Sequence, residues 1–271
     1  MSIDFDRSRL QVEYEQIVGI SSIEQLTLQK DLFKNHILTD DNVFVLSEAL
    51  KNDALDYFYN GILTFAEGID SIYDNRFSWA TVKLYYSIFY LIKASMASKN
   101  IGLLRNQSMF RIKLRVGEKV YNTNNKKYNT THEGTISHYK DLFSTADKLL
   151  TNNIENQDAY AWMQSMREIV NYRQVAFKEP GYLPIWDKFF EASQEGTLNT
   201  LLQTLQDDDP YTYCFQEEFA IVGIPIKRLI QTIDDFGNAD LLKLITIERK
   251  EYTKKVLNYN QRGLNIVSNV I

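Results

Sequence analysis

The chain has 271 residues, 44% of them hydrophobic and 13% aromatic, which excludes a disordered polypeptide and leaves room for a large buried core. Eleven glycines and four prolines are too few to punctuate many short strands, so an all-α protein is expected. The net charge is −5, and the single cysteine, Cys214, excludes an internal disulfide and any multi-cysteine zinc site.

Met1 to Leu10 carries Asp4, Asp6, Arg7 and Arg9 where a secretory leader needs an apolar run, so a cytoplasmic protein is expected. Two or three short amphipathic helices come next. Leu10, Val12, Tyr14 and Ile17, and later Leu26, Leu28, Leu32, Phe33 and Ile37, recur at helical intervals. His36 belongs to this surface. Thr39-Asp40-Asp41 is a capping cluster for a helix holding Val43, Val45, Leu46 and Leu50. A separate helix is expected from about Asp53 to Tyr73, with Leu55, Phe58, Ile62, Phe65 and Ile69 on one stripe.

Ser78 is expected to cap the next helix, Ser78 to Lys99. It is apolar or aromatic nearly all round (Trp79, Val82, Leu84, Tyr85, Tyr86, Ile88, Phe89, Tyr90), so it belongs at the centre of a bundle with no face left for water. Lys83 and Lys93 interrupt it, and a membrane span needs roughly 20 mostly apolar residues; no membrane association is expected.

From Asn100 to Thr131 the helical pattern weakens, and Asn122 to Asn129 suggests an exposed loop. Between Lys99 and Lys127, eight cations (Lys99, Arg105, Arg111, Lys113, Arg115, Lys119, Lys126 and Lys127) stand against Glu118, a local excess of plus seven in an acidic chain. Such asymmetry suggests a polyanion partner, and equally suits a solvated surface. Arg105, Arg111, Lys113, Arg115, Lys119, Lys126 and Lys127 are the candidate nucleic-acid contacts, with Phe110, Tyr121 and Tyr128 placed to stack on unpaired bases.

Helical periodicity resumes near Gly134 and again after Asn156. His132 stands at the first of these starts, as a phosphate donor, an acid or base, or a cap; His138, six residues on, lies on another face. Arg167 lies on the later helix, with Asn171 four residues on and therefore beside it, and Tyr172 after that. A permanent cation, an amide and a phenol facing one cleft suit a phosphate; the alternative is an arginine tying helices together through carbonyls, Glu168 or Glu179.

Pro180, Gly181 and Pro184 form the clearest boundary in the chain. Beyond it one helix is expected from Ile185 to Leu205, stopped by Asp207-Asp208-Asp209-Pro210, whose adjacent carboxylates suggest a solvated loop rather than a metal site. Helices from Glu217 to Phe236 and from Ala239 to Gln261 complete the pattern as an accessory bundle or a contact surface for a partner. Cys214, beside Phe215, fits a small apolar filler. The implied organisation is an N-terminal extension over 1–50, a helical bundle over 51–180 and a C-terminal helical region over 181–271.

Three segments, in order, resemble one family. "ATVKLYYSIFYLIKASMASKNIG" resembles the second bundle helix of HEPN domains; "TTHEGTISHYKDLF" resembles the Thr-His-x-Gly opening of the third helix in one HEPN branch; "MREIVNYR" resembles the Arg-x-x-Ala-Asp-Tyr motif closing that branch. The resemblance covers about Asn52 to Pro180. It implies an up-and-down helical bundle with added N- and C-terminal helices, commonly a homodimer or larger assembly, from prokaryotic toxin and antiphage defence systems. It further implies RNA or nucleotide binding and, in many members, metal-independent endoribonuclease activity without a cofactor. Carried over, Arg167 matches the family's arginine and Asn171 its polar companion, while Tyr172 stands where a histidine is expected; His132 would supply the missing base. The alternative within the family is a noncatalytic subunit docking a protein partner, with the C-terminal helices as the contact.

Overall fold

In a computed structural model describing residues 7–123, 125–173 and 176–257, helix dominates, and two small antiparallel hairpins are the departure from the all-α expectation. The chain divides into two compact units, each discontinuous in sequence: Met1–Tyr57 with Ile92–Leu142, and Phe58–Leu91 with Phe143–Ile271.

The chain begins with the short helices α1 (Arg9–Ile17), α2 (Ile23–Leu28) and α3 (Lys30–Asn35), as the periodicity indicates. The next element is a single 34-residue helix, α4 (Asp40–Tyr73), rather than two. Thr39 caps it by accepting from the Asn42 amide at 3.3 Å. Asp53, which looks like a start signal, has another role. Its buried carboxylate accepts from the backbone amides of Arg9 and Leu10, each at 2.9 Å, and so caps α1 from the flank of α4. Burial raises its pKa, against those amides and Arg9, which favour the charged form.

Helix α5 (Phe77–Ser98) starts one residue before Ser78, whose side chain is not the cap; Glu179 accepts from the Ser78 amide at 2.7 Å instead. After α5, where the helical pattern weakens, the chain forms a hairpin, β1 (Ile101–Asn106) with β2 (Ser108–Lys113), turned by Gln107 at φ 64°. Residues 109 to 115 alternate in character, and that period of two selects a strand: Phe110, Ile112 and Leu114 are buried while Lys113 and Arg115 face out. Tyr121 extends the sheet by exchanging backbone hydrogen bonds with Arg111 at 3.0 and 2.7 Å. Helix α6 (Thr131–Phe143) packs against this hairpin at Gly134, where a Cβ would lie 2.8 Å from Met109.

In the second unit α4 and α5 approach closely because two glycines remove side chains from the contact. A Cβ on Gly61 would sit 2.7 Å from Leu91 Cδ2, and one on Gly68 2.9 Å from Leu84 Cδ2. Seven residues separate each pair, so leucines of one helix fill glycine holes of the other. A two-residue hairpin, β3 (Asn153–Ile154) with β4 (Gln157–Asp158), turns through Glu155 and Asn156 at positive φ and leads into α7 (Ala159–Glu168), which Asp158 caps. The single helix expected over Ile185 to Leu205 is two, α8 (Asp187–Gln194) and α9 (Leu198–Asp207), broken at Gly196, whose φ of 71° ends α8.

Helix α10 (Glu217–Asn238) stacks Phe236 on Phe58 at 4.2 Å between ring centres. In place of one helix from Ala239 there is a turn at Leu242–Leu244 and then α11 (Ile247–Leu257); residues 258–261 of that expectation lie outside the described residues. Within the second unit the Arg228 guanidinium, fully buried on α10, meets Asp147 at 3.4 Å and Asp235 at 3.6 Å. Asp147 also accepts from the Tyr160 hydroxyl, from Gln231 at 2.9 Å and from the Leu149 amide at 2.9 Å, so this buried ion is densely hydrogen-bonded.

Asp53→Ala is expected to destabilise the protein by about 2 kcal/mol, because one buried and one part-buried amide of α1 lose a charged acceptor. Asp53→Asn, which keeps one acceptor oxygen, should lose less. Urea denaturation of the three proteins measures it, and equal midpoints would show that α1 is capped otherwise.

Candidate functional site

Arg167 sits at the last full turn of α7, where the helix widens into a π turn over Ile169–Arg173. An α-helix would set Asn171 beside Arg167. The wider π turn brings the residue five positions on to that side, and the Tyr172 ring centre lies 5.1 Å from the Arg167 guanidinium carbon. Asn171 is half-buried and makes no side-chain hydrogen bond among the described residues, so the predicted pairing of Arg167 with Asn171 gives way to Arg167 with Tyr172.

Two further phenols complete the surroundings. Tyr85 and Tyr86 of α5 place their ring centres 5.3 and 5.6 Å from the guanidinium carbon, and Arg167 donates to the Tyr86 hydroxyl at 3.3 Å. Arg167 is 7% exposed and Tyr172 70% exposed, so a buried cation has an outward tyrosine against it. Burial works against the charge, but the hydrogen bond to Tyr86 and the nearby phenols hold the guanidinium pKa above its ordinary value. Burial pushes the Tyr85 phenol well upward, with Arg167 opposing, so Tyr85 stays protonated at neutral pH.

Neither carboxylate that sequence offers as a tie binds this arginine. Glu168 accepts from Gln164 at 3.0 Å, and Glu179 is spent on the α5 amide. Among the described residues Arg167 has no ion pair, and its Nε has no hydrogen-bond partner. The site therefore presents a desolvated positive charge walled by π faces, an arrangement that attracts an anion.

Nearby, α5 departs from the fully enclosed helix expected. Trp79, Lys83, Tyr86 and Tyr90 form a partly exposed stripe, and Trp79, 45% exposed, meets Phe177 edge to face at 4.9 Å. Tyr85 and Tyr86 were legible as part of an aromatic helix, but nothing in their spacing announces Arg167 as their neighbour.

The histidines take other places. His132 is half-buried at the second residue of α6, where Thr130 makes the cap by accepting from the Glu133 amide at 3.2 Å. It belongs to the first unit and Arg167 to the second. His138 is fully buried, stacked on Tyr128 at 4.4 Å, with Nε2 donating to the Met109 carbonyl at 3.0 Å. Burial pushes its pKa down to about 4. His36 is half-buried rather than on the surface, and bonds Asn42 at 2.8 Å. Cys214 is a buried thiol that desolvation pushes up to about 12, as a packing residue should be.

The basic segment divides. Lys113, Arg115, Lys119 and Lys126 are exposed and make no ion pair among the described residues; Arg105 is exposed and bonds Thr131. Arg111 and Lys127 share Asp141, at 3.5 and 3.1 Å. Burial opposes the charge on Asp141, but the Tyr128 hydroxyl, Lys127 and Arg111 together hold its carboxyl below the ordinary range. Phe110 and Tyr128 are buried and unavailable for stacking on bases; Tyr121 remains, 45% exposed. No group of three or more His, Cys, Asp or Glu among the described residues is placed to hold a metal ion, and no described helix is long and apolar enough to cross a membrane. No protein-family model, no curated protein and no solved structure matches the chain.

The His138 environment has a pH signature. An imidazole near 6.5 when unfolded and about 4 when folded leaves the unfolded state holding more protons between those values. Stability is complete above pH 6.5 and falls as pH drops towards 4, by up to about 3 kcal/mol. Replacing His138 by Phe removes that titration, so the stability gap between variant and wild type, followed by urea unfolding from pH 7 to 4, should shift towards the variant. A constant gap would show a protonated, solvated His138.

Proposed function

We propose that this chain is a HEPN-like protein that binds RNA or nucleotides through Arg167, with metal-independent endoribonuclease activity in antiphage defence or as a toxin as the catalytic form of that role. The observation that carries the reading is the buried Arg167 guanidinium without a carboxylate among the described residues. Tyr172 is held over it by one cation–π contact, worth about 0.5–2 kcal/mol. A phosphate makes charge-assisted hydrogen bonds of roughly twice ordinary strength to the same group, so it can displace the ring, which is mostly in solvent already. The displaced phenol then stacks on a base or donates to a phosphate oxygen. In the cleaving form Arg167 offsets charge on the pentavalent phosphate as the neighbouring 2′-hydroxyl loses its proton and attacks, giving a 2′,3′-cyclic phosphate as the bond to the 5′-oxygen breaks and that oxygen takes a proton from water. The base for that step is not Tyr85, whose phenol holds its proton.

A second reading, a noncatalytic HEPN-like subunit that docks a protein partner, has its own support in the exposed Trp79–Phe177 pair.

Fluorescence anisotropy with a single-stranded oligoribonucleotide, in chelator, compares wild type with Arg167→Ala and Arg167→Lys. Loss of a charge-assisted hydrogen bond of about 1.5–3 kcal/mol should weaken binding at least about tenfold in Arg167→Ala, with partial recovery in Arg167→Lys. Denaturing gels of the same mixtures should show shortened RNA with wild type alone. Equal affinity in all three folded proteins removes the binding role of Arg167; intact RNA together with Arg167-dependent binding leaves a binder that does not cut.

A further inference from the structure

The hairpin of the first unit carries a second nucleic-acid feature, distinct from the Arg167 site. Strand pairing puts Arg105, Arg111 and Lys113 on one face, where Met109 and Ile101 are buried, Met109 beneath α6, and the cations lie around them. Arg111 lies between Leu103 on β1 and Tyr121, which bridges it from the other side, and Lys113, two residues along β2, points the same way. Beside Tyr121, Lys119 is exposed and Val120 between them is buried. Arg105 is exposed on the same side of β1, two residues beyond Leu103.

At the centre the Arg111 guanidinium lies 4.1 Å from the Tyr121 ring centre and pairs with Asp141 at 3.5 Å. A guanidinium held from behind by a carboxylate fixes the orientation of the ring it contacts. The result is a pre-set phenol ring, its surroundings marked by the cations Arg105, Lys113 and Lys119.

The geometry points to this face as a platform for single-stranded RNA, with an unpaired base stacked on Tyr121 and backbone phosphates against Lys113 and Lys119. The inference rests on the reading of the chain as RNA-binding and gives that RNA a place outside the Arg167 site. Duplexes are disfavoured because their bases are already stacked. An anionic lipid surface would engage the lysines but has no use for an exposed, oriented ring.

Anisotropy with a single-stranded oligoribonucleotide, its duplex and phosphatidylserine vesicles, across a salt series, tests it. Tyr121→Ala should weaken single-strand binding about tenfold and leave the salt dependence unchanged. Lys113→Gln with Lys119→Gln should lower the slope of log affinity against log salt by roughly 1.4, or 0.7 for each phosphate left without its lysine. Both sites are exposed, and circular dichroism checks the fold. RNA binding that Arg167→Ala abolishes but the hairpin variants leave intact overturns the platform and keeps the proposed function. Absence of wild-type RNA binding removes both, and vesicle binding or equal affinity for duplex in place of single-strand preference overturns the platform.

Discussion

The close approach of α4 and α5 at two glycines governs what the second unit can present to solvent. Leu84 and Leu91 enter the spaces at Gly68 and Gly61, which sets the rotation of α5 about its axis. At about 100° per residue, Tyr86 lies roughly 200° round the helix from Leu84, and Trp79, Lys83 and Tyr90 cluster on that same far side. Each glycine costs about 1 kcal/mol of helix propensity relative to alanine. Packing offsets it, and the outcome is a fixed aromatic stripe instead of a helix enclosed on every side. The tyrosines around Arg167 are where they are because the leucines opposite them are held.

Two buried arginines in this unit meet the same desolvation problem in different ways. Arg228 lies between Asp147 and Asp235, and its charge is cancelled locally. Removing one partner of such a pair leaves an uncompensated ion, a loss of about 3–5 kcal/mol, so the role there is to hold α10 in register. Among the described residues Arg167 receives phenols and no carboxylate. Ring faces and one hydroxyl stabilise a cation without neutralising it, and the positive potential survives. That difference, more than position or burial, separates a structural arginine from one equipped to receive an anion.

Much of the fold was legible because apolar spacing is dictated by burial. The helices over 9–35, 77–98, 131–143 and 217–238 follow their periodicity closely. The misreadings share a cause: a local signal was assigned to its own segment when its partner was distant. Asp53 caps a helix 43 residues away, and Glu179 caps one 101 residues away, so neither Asp53 nor Ser78 marks the boundary it suggests. At the site, a cation and a phenol facing one cleft are legible in the sequence, but the π turn and the exposure of Tyr172 are not. A single extra residue in one helical turn exchanges Asn171 for Tyr172 as the neighbour of the arginine, and no residue between them announces it. The hairpin follows the alternation from Phe110 to Arg115, a period of two inside a stretch that carries no helical pattern.

Counting charge along a window and counting it in space also give different answers. The plus-seven stretch counts Arg111 and Lys127 with the rest, yet both converge on Asp141, which stands outside the window. One carboxylate thereby withdraws two cations from the electrostatic field and, through Arg111, stiffens the contact with Tyr121. The remaining solvent-facing groups are divided by kind. The lysines contribute attraction that salt screens, and the tyrosine contributes a flat, salt-indifferent surface. A face that separates those two contributions discriminates among anions by shape as well as charge, which a lysine-rich loop of the same net charge does not.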